Sequence, residues 1–219
     1  KLGNGNWAVK EDKLLAYNDN SGRFFNKEFD FARGSIATYV GKDGLIKSAA
    51  SDVPRIDFSD STNGALLLEP QSTNSITYSE DFANAAWSKI GNTAVTSNTV
   101  ISPNGTLDGS TVSGLSGTGS NDLRFVKSEN TANNTYTYSV YLKGSGTVRI
   151  QLSNGVDQGF DDTITLTSSW KRHFLTSTFN STTSTSLTAT LDDFYGQTAT
   201  QFDIWGAQIE QLSYATSYI

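Results

Sequence analysis

Residues 135–143, Thr-Tyr-Thr-Tyr-Ser-Val-Tyr-Leu-Lys, alternate with a period of two. Tyr136, Tyr138, Val140 and Leu142 share one side, while Thr135, Thr137, Ser139, Tyr141 and Lys143 share the other. Successive side chains of a strand point to opposite faces, so this pattern demands a strand buried on one side. Residues 147–153 repeat it, with Val148, Ile150 and Leu152 set against Arg149, Gln151 and Ser153. Gly144-Ser145-Gly146 between the two reads as a hairpin turn, which predicts that they are neighbours in one sheet. Further strands are predicted over 75–79, 93–100, 123–128, 163–167, 171–179, 186–191 and 201–210. About nine short strands with Gly/Ser/Asn turns and no convincing helix predict an all-β fold, an antiparallel two-sheet β-sandwich or jelly roll. Residues 79–86 alone allow a helical turn, and the Ser/Thr-rich 182–190 reads as a solvated edge strand.

The chain changes character across residues 64–87. An apolar run, Ala65-Leu66-Leu67-Leu68, is stopped by Pro70, and alternation resumes at Ser75. This divides the sequence into an irregular N-terminal arm with short strands, 1–72, and the sandwich, 73–219. Within the arm, residues 36–40, the turn Gly41-Lys42-Asp43-Gly44 and Leu45-Ile46 predict a hairpin, residues 18–22 a turn, and 53–58 an extended piece held to an edge by Pro54. Its apolar residues Phe24, Phe25, Phe29, Phe31, Tyr39, Ile56 and Phe58 need cover, either from the neighbouring domain or from a second subunit.

Charge and composition narrow the function. The 219 residues carry 16 Lys and Arg against 22 Asp and Glu, a net charge of −6, and the basic residues are scattered. Binding to nucleic acid or to an anionic membrane surface needs a basic patch and is not expected. No apolar run approaches the length of a membrane-spanning helix. The chain has no cysteine and no methionine, and is expected to be processed or part of a longer polypeptide. Thiol catalysis is excluded, and a single histidine, His173, cannot form a multi-histidine metal site. His173 lies within a predicted strand and no Gly-x-Ser-x-Gly elbow accompanies it. The acid pairs Asp161-Asp162 and Asp192-Asp193 are adjacent in strand, so each pair points two ways and cannot form a glycosidase dyad. No enzymatic activity is expected.

Three segments carry a resemblance. The first is residues 32–40 with 43–46 and Pro54-Arg55-Ile56-Asp57-Phe58. The second is Leu67-Leu68-Glu69-Pro70-Gln71-Ser72-Thr73-Asn74 running into residues 77–82 and Ala86-Trp87. The third is Ile204-Trp205-Gly206-Ala207-Gln208-Ile209-Glu210, closing with residues 215–219. Together with residues 138–143 and Trp170-Lys171-Arg172, the chain resembles the fibre or spike proteins of tailed bacteriophages, whose C-terminal jelly roll is similar to carbohydrate-binding modules. The resemblance covers about residue 30 to the C-terminus. It implies a virion-surface location, contact with a host or environmental polysaccharide, association with other virion proteins, and a homo-oligomer, a trimer being favoured. It also implies a structural Ca²⁺ near the first and last strands, for which Glu80, Asp81 and Asp203 are the carboxylates.

Glycans are held by aromatic faces and planar polar side chains. With Tyr136, Tyr138, Val140 and Leu142 inward, Tyr141 and Lys143 point outward, and Arg149 and Gln151 do the same on the strand expected beside them. These four are predicted to line one shallow cleft, with Trp170, Phe160 and Tyr195 at its loop edges. The same cross-strand pairs also serve simply to stabilise a sheet. Trp87 and Trp205 read as core, with an oligomer interface as the other role for Trp205. Polysaccharide adhesion is the expected function. A structural capsid or tail component is the alternative, and an accessory domain of a polysaccharide-degrading enzyme a third.

Overall fold

The computed structural model describes residues 5–11, 13–18, 23–26, 31–117, 119, 121–194 and 196–219. Phe29, Tyr195 and most of the predicted 18–22 turn lie outside these residues, as do the side chains of Phe24, Phe25 and Asp162. The chain divides into two compact units, one of residues 1–71, 103–105 and 216–219, the other of 72–102 and 106–215.

The first unit is built from short antiparallel ladders. Strands β1 (Trp7–Lys10), β2 (Lys13–Asn18) and β3 (Arg23–Asn26) form one sheet in that order. Strands β4 (Ala37–Val40) and β5 (Ile46–Ala49) form the predicted hairpin, its turn closed by Gly41 N to Leu45 O at 2.8 Å and by Gly44 at φ +79°. The two-residue strands β6 (Ile56–Asp57) and β7 (Ala65–Leu66) pair with each other. Ladders this short leave much backbone to be satisfied by side chains. Buried Arg55 donates to Thr38 O, Glu69 and Ser217 Oγ at 2.7, 3.0 and 2.8 Å, and Ser217 N donates to Glu69 at 2.7 Å. Asp57 accepts from Val40 N at 2.8 Å.

The second unit is a two-sheet antiparallel sandwich. Its strands are β8 (Trp87–Ile90), β9 (Ala94–Val100), β10 (Gly109–Ser113), β11 (Asp122–Ser128), β12 (Thr135–Gly144), β13 (Thr147–Ser153), β14 (Gln158–Thr165), β15 (Lys171–Thr178), β16 (Ser186–Asp192) and β17 (Gln201–Glu210). One sheet has the order β15-β12-β17-β10-β9, the other β14-β13-β16-β11-β8. The inward residues of both sheets make a single apolar core: Tyr136, Tyr138, Val140 and Leu142 from β12 meet Val148, Ile150 and Leu152 from β13 and Leu187, Ala189 and Leu191 from β16. Trp87 sits in this core between Phe82 and Phe125, with ring centroids 4.9 and 5.4 Å away, and donates its indole N–H to Tyr78 O at 2.9 Å.

Three local expectations are corrected. The 144–146 turn does not join neighbouring strands, because β12 and β13 lie in different sheets. Gly146 takes φ +86°, and a Cβ there would stand 2.8 Å from Ala199 N, so the link is a tight crossover between layers. The 182–190 tract contributes β16, which pairs with β11 on one side and β13 on the other and is central rather than an edge. Residues 75–79 are not a regular strand. They lie along β17, with Ser75 N bonded to Ile209 O and Ser79 O accepting from Ala207 N, while 79–86 form turns without a helix.

Candidate functional site

The outer face of the β15-β12-β17-β10-β9 sheet follows from alternation and register. With the β12 apolar residues turned into the core, Tyr141 and Lys143 stand on the opposite side. Antiparallel register sets Arg172 of β15 and Trp205 of β17 directly beside Tyr141, and Asp203 beside Lys143. One row further along, Ser139 is flanked by Phe174 and Gln208. Tyr141 and Trp205 meet edge to face at 5.6 Å, and the Arg172 guanidinium lies 5.5 Å from the Tyr141 ring centre while donating to Ser139 Oγ at 2.9 Å. Cation–π and edge-to-face contacts of this kind hold the rings at fixed angles.

Trp170, just before β15, spans the same side of the sheet. Its indole N–H donates to Ile101 O at 2.8 Å, and the Lys143 ammonium lies 5.8 Å from its ring centre. Gly109 is required beneath it: a Cβ would fall 2.7 Å from Val100 Cγ1 and 3.4 Å from the Trp170 ring. Lys143 also faces Asp203 at 3.9 Å, and Asp203 accepts from Thr111 Oγ1 at 2.8 Å. Phe174 is left 63% exposed beside this group.

Tyr141, Lys143 and Trp170 are therefore brought together, but Arg149 and Gln151 are not among them. They project from β13, on the outer face of the other sheet, so the single cleft predicted for all five divides between the two sheets. Arg149 is buried there and forms a two-pronged pair with Asp192 at 2.8 and 2.7 Å. Its guanidinium lies between the Phe160 and Phe194 rings, at 5.5 and 4.8 Å from their centres. Gln151 donates to Gln158 at 2.7 Å.

Among the described residues, no three His, Cys, Asp or Glu side chains converge closely enough to hold a metal ion. Glu80, Asp81 and Asp203, the carboxylates that the resemblance implies for a Ca²⁺, do not come together as a group of three. Asp81 accepts from Asn84 Nδ2 at 3.2 Å in the 81–87 turns, and Asp203 is engaged by Thr111 and Lys143. The acids weighed as catalytic pairs have other partners. Asp193 accepts from Ser116 N, Gly117 N, Gly119 N and Asn121 N at 2.9–3.3 Å and from Asn121 Nδ2 at 2.7 Å, anchoring the loop before β11. Burial pushes its carboxyl up, but the bonds from Asn121, Ser116 and Gly117 outweigh this and hold it below its usual value. Asp161 accepts from Thr163. His173 is lowered in pKa by burial and then by Lys171, with Asp161 opposing, and sits opposite Val140 on the core-facing side of β15.

Sequence reasoning missed Arg172 and Phe174, and assigned Trp205 to the core. Trp205 is buried, but on the outer face beside Tyr141 rather than between the sheets, as its register partner shows. The alternation Arg172, Phe174, Thr176 was a legible signal for one face of β15. The pairing of β15 and β17 with β12 was not.

No protein-family model matches the sequence. No curated protein matches it either. Solved structures do. The Stig cyclase Fisc from Fischerella sp. TAU is 13% identical with a TM-score of 0.52, covering 66% of this chain and 100% of that one. The CBM22-1 xylan-binding domain of Paenibacillus barcinonensis Xyn10C is 17% identical with a TM-score of 0.46, covering 67% and 100%. The enzymatically active domain of bacteriophage CBA120 tailspike protein 4 is 10% identical with a TM-score of 0.48, covering 62% of this chain and 21% of that one. The likeness to the cyclase is one of fold: this chain shares its β-sandwich.

Proposed function

We propose that the outer face around Tyr141 binds a polysaccharide, and that the protein is a non-catalytic glycan-binding module on the virion surface of a tailed bacteriophage, assembled as a homo-oligomer with other virion proteins. The observation that carries the binding reading is the group of Tyr141, Trp170, Arg172 and Lys143 on one sheet face, with Phe174 exposed beside it. A pyranose stacks its C–H surface on an aromatic ring and offers hydroxyls to planar or charged donors, and this face supplies both kinds of group within one or two strand spacings. The rings are held by edge contacts, an indole hydrogen bond and cation contacts, so little ordering accompanies binding. The virion location and the oligomer rest on the resemblance of the three sequence segments.

Titration calorimetry of the full chain against a panel of bacterial and plant polysaccharides tests the binding. The expected result is a saturable signal that falls about tenfold or more in affinity for Tyr141→Ala, the loss of a stacking aromatic being worth more than 1 kcal/mol in such sites. A folded protein that binds nothing on the panel, or a Tyr141→Ala variant that binds as wild type, overturns the assignment. Antibody labelling of intact particles and the mass of the protein in solution test the location and the assembly.

A further inference from the structure

We propose that the N-terminal unit carries a saccharide site of its own, a pocket walled by β1, the β4–β5 hairpin and residues 53–58 that takes a short neutral oligosaccharide. The pocket holds about 450 Å³, within the range of about 300–1,000 Å³ usual for small-ligand sites. Trp7 and Val9 line it from β1, Tyr39 and Lys47 from the hairpin, and Ile56 and Phe58 from the extended piece after Pro54. Trp7, Tyr39 and Phe58 are each partly exposed, so three aromatic rings border one cavity inside a single unit. A pyranose covers such rings with its C–H surface.

Two glycines and one backbone bond shape the walls. Gly64 takes φ +72°, and a Cβ there would stand 2.8 Å from Ile56 Cγ2 and from Phe58 Cε1, so glycine is what lets these two side chains lie as they do. Gly5 N donates to Gly64 O at 2.7 Å, which ties the start of β1 to the same segment. Across the pocket, Tyr39 and Lys47 are direct partners in the β4–β5 register and share one face of the hairpin. A Cβ on Gly41 would fall 2.7 Å from Lys47 Cε, so the Lys47 stem passes close over the turn. Its ammonium meets Asp43 Oδ2 at 2.8 Å, with both side chains about half exposed. The rim therefore offers a donor and an acceptor side by side, and Lys42 adds a second ammonium. Adjacent sugar hydroxyls use both kinds of group, since a hydroxyl donates and accepts. Because Asp43 already balances Lys47, the rim suits hydroxyls rather than another carboxylate.

The test titrates the full chain by saturation-transfer NMR with glucose, galactose and N-acetylglucosamine, and with cellobiose, lactose and chitobiose. The expected result is saturable binding of at least one disaccharide, with a Kd of about 1 mM or below, that persists in Tyr141→Ala. Trp7→Ala and Phe58→Ala each weaken it about tenfold or more, and Lys47→Met, which keeps the stem and removes the ammonium, about threefold or more. Melting curves confirm that the variants fold, and Lys47→Met, at an exposed position, decides the matter if the ring variants do not. Binding that Tyr141→Ala removes and the pocket variants leave intact belongs to the sandwich face and overturns the pocket. Silence toward all six sugars overturns it too, while the Tyr141 face stands or falls on its own titration with polysaccharides. An apolar dye, anilinonaphthalene sulfonate, that fills the pocket and is displaced by none of the six sugars marks a site for apolar ligands and overturns the saccharide assignment.

Discussion

The two outer faces of the sandwich use the same residue types differently. On the β13 face Arg149 lies between Phe160 and Phe194 and is clamped by Asp192, with both partners of the pair buried. On the β12 face Arg172 lies over Tyr141 and donates to a hydroxyl, while Lys143 lies by Trp170 and only loosely faces Asp203. Aromatic rings beside a guanidinium do not by themselves mark a binding face. The distinction lies in the ion pairs: Asp192 takes Arg149 in a close, dry pair that makes it a structural brace, whereas Asp203 meets the half-exposed Lys143 only at 3.9 Å.

That comparison can be broken most forcefully at Asp192. Removing one partner of a buried pair strands the other, so Asp192→Asn is expected to lower stability by about 3–5 kcal/mol while the folded fraction binds glycan as wild type. Chemical denaturation followed by titration measures both, and a small stability loss would place Arg149 among adaptable surface groups instead. Next is Asp193, whose carboxylate collects four backbone N–H groups and an amide; Asp193→Ala is expected to cost about 1.5–3 kcal/mol. Its folded pKa lies below the ordinary 3.8, so the stability it contributes is fully present above that pH and is lost as pH falls through the depressed value. Acid unfolding of wild type and Asp193→Asn should therefore diverge above pH 3.8 and converge at the acid extreme. Asp122 works in the opposite direction. Burial raises its pKa, with Arg124 opposing, so its contribution is present below 3.8 and lost as pH rises through the raised value. Smallest is Phe160→Ala, which removes one ring from the Arg149 stack; a cost of about 0.5–1 kcal/mol and unchanged glycan affinity are expected. A large fall in affinity there would move the site to the β13 face.

Much of the sandwich was legible because alternation is a local signal. Tyr136, Tyr138, Val140 and Leu142 declare one inward side, and the core is built from these residues and their equivalents on β13 and β16. Strands with little apolar content escaped: β10 offers Val112 as its one large apolar residue, and β8 is a four-residue piece whose Trp87 reads equally well as the end of a turn. The 144–146 turn misled for a different reason. Gly-Ser-Gly permits a hairpin, and it also permits the crossover that Gly146 makes beside Ala199, with Leu166 N bonded to Gly146 O at 2.9 Å. Nothing within those three residues separates the two outcomes, because the groups that hold the turn come from residues some 20 and 50 positions away.

Period two determined, strand by strand, which side chains point inward, since that depends only on the pleat and on where the apolar residues lie. Tyr141 and Lys143 were therefore known to share a surface from the sequence alone. Which strands stand beside β12 was decided only by the tertiary structure. That choice is made by long-range ladders, β15 on one side and β17 on the other. It brought Arg172 and Trp205 to Tyr141 and sent Arg149 to the far sheet. Local pattern orients a side chain, and sheet topology chooses its neighbours.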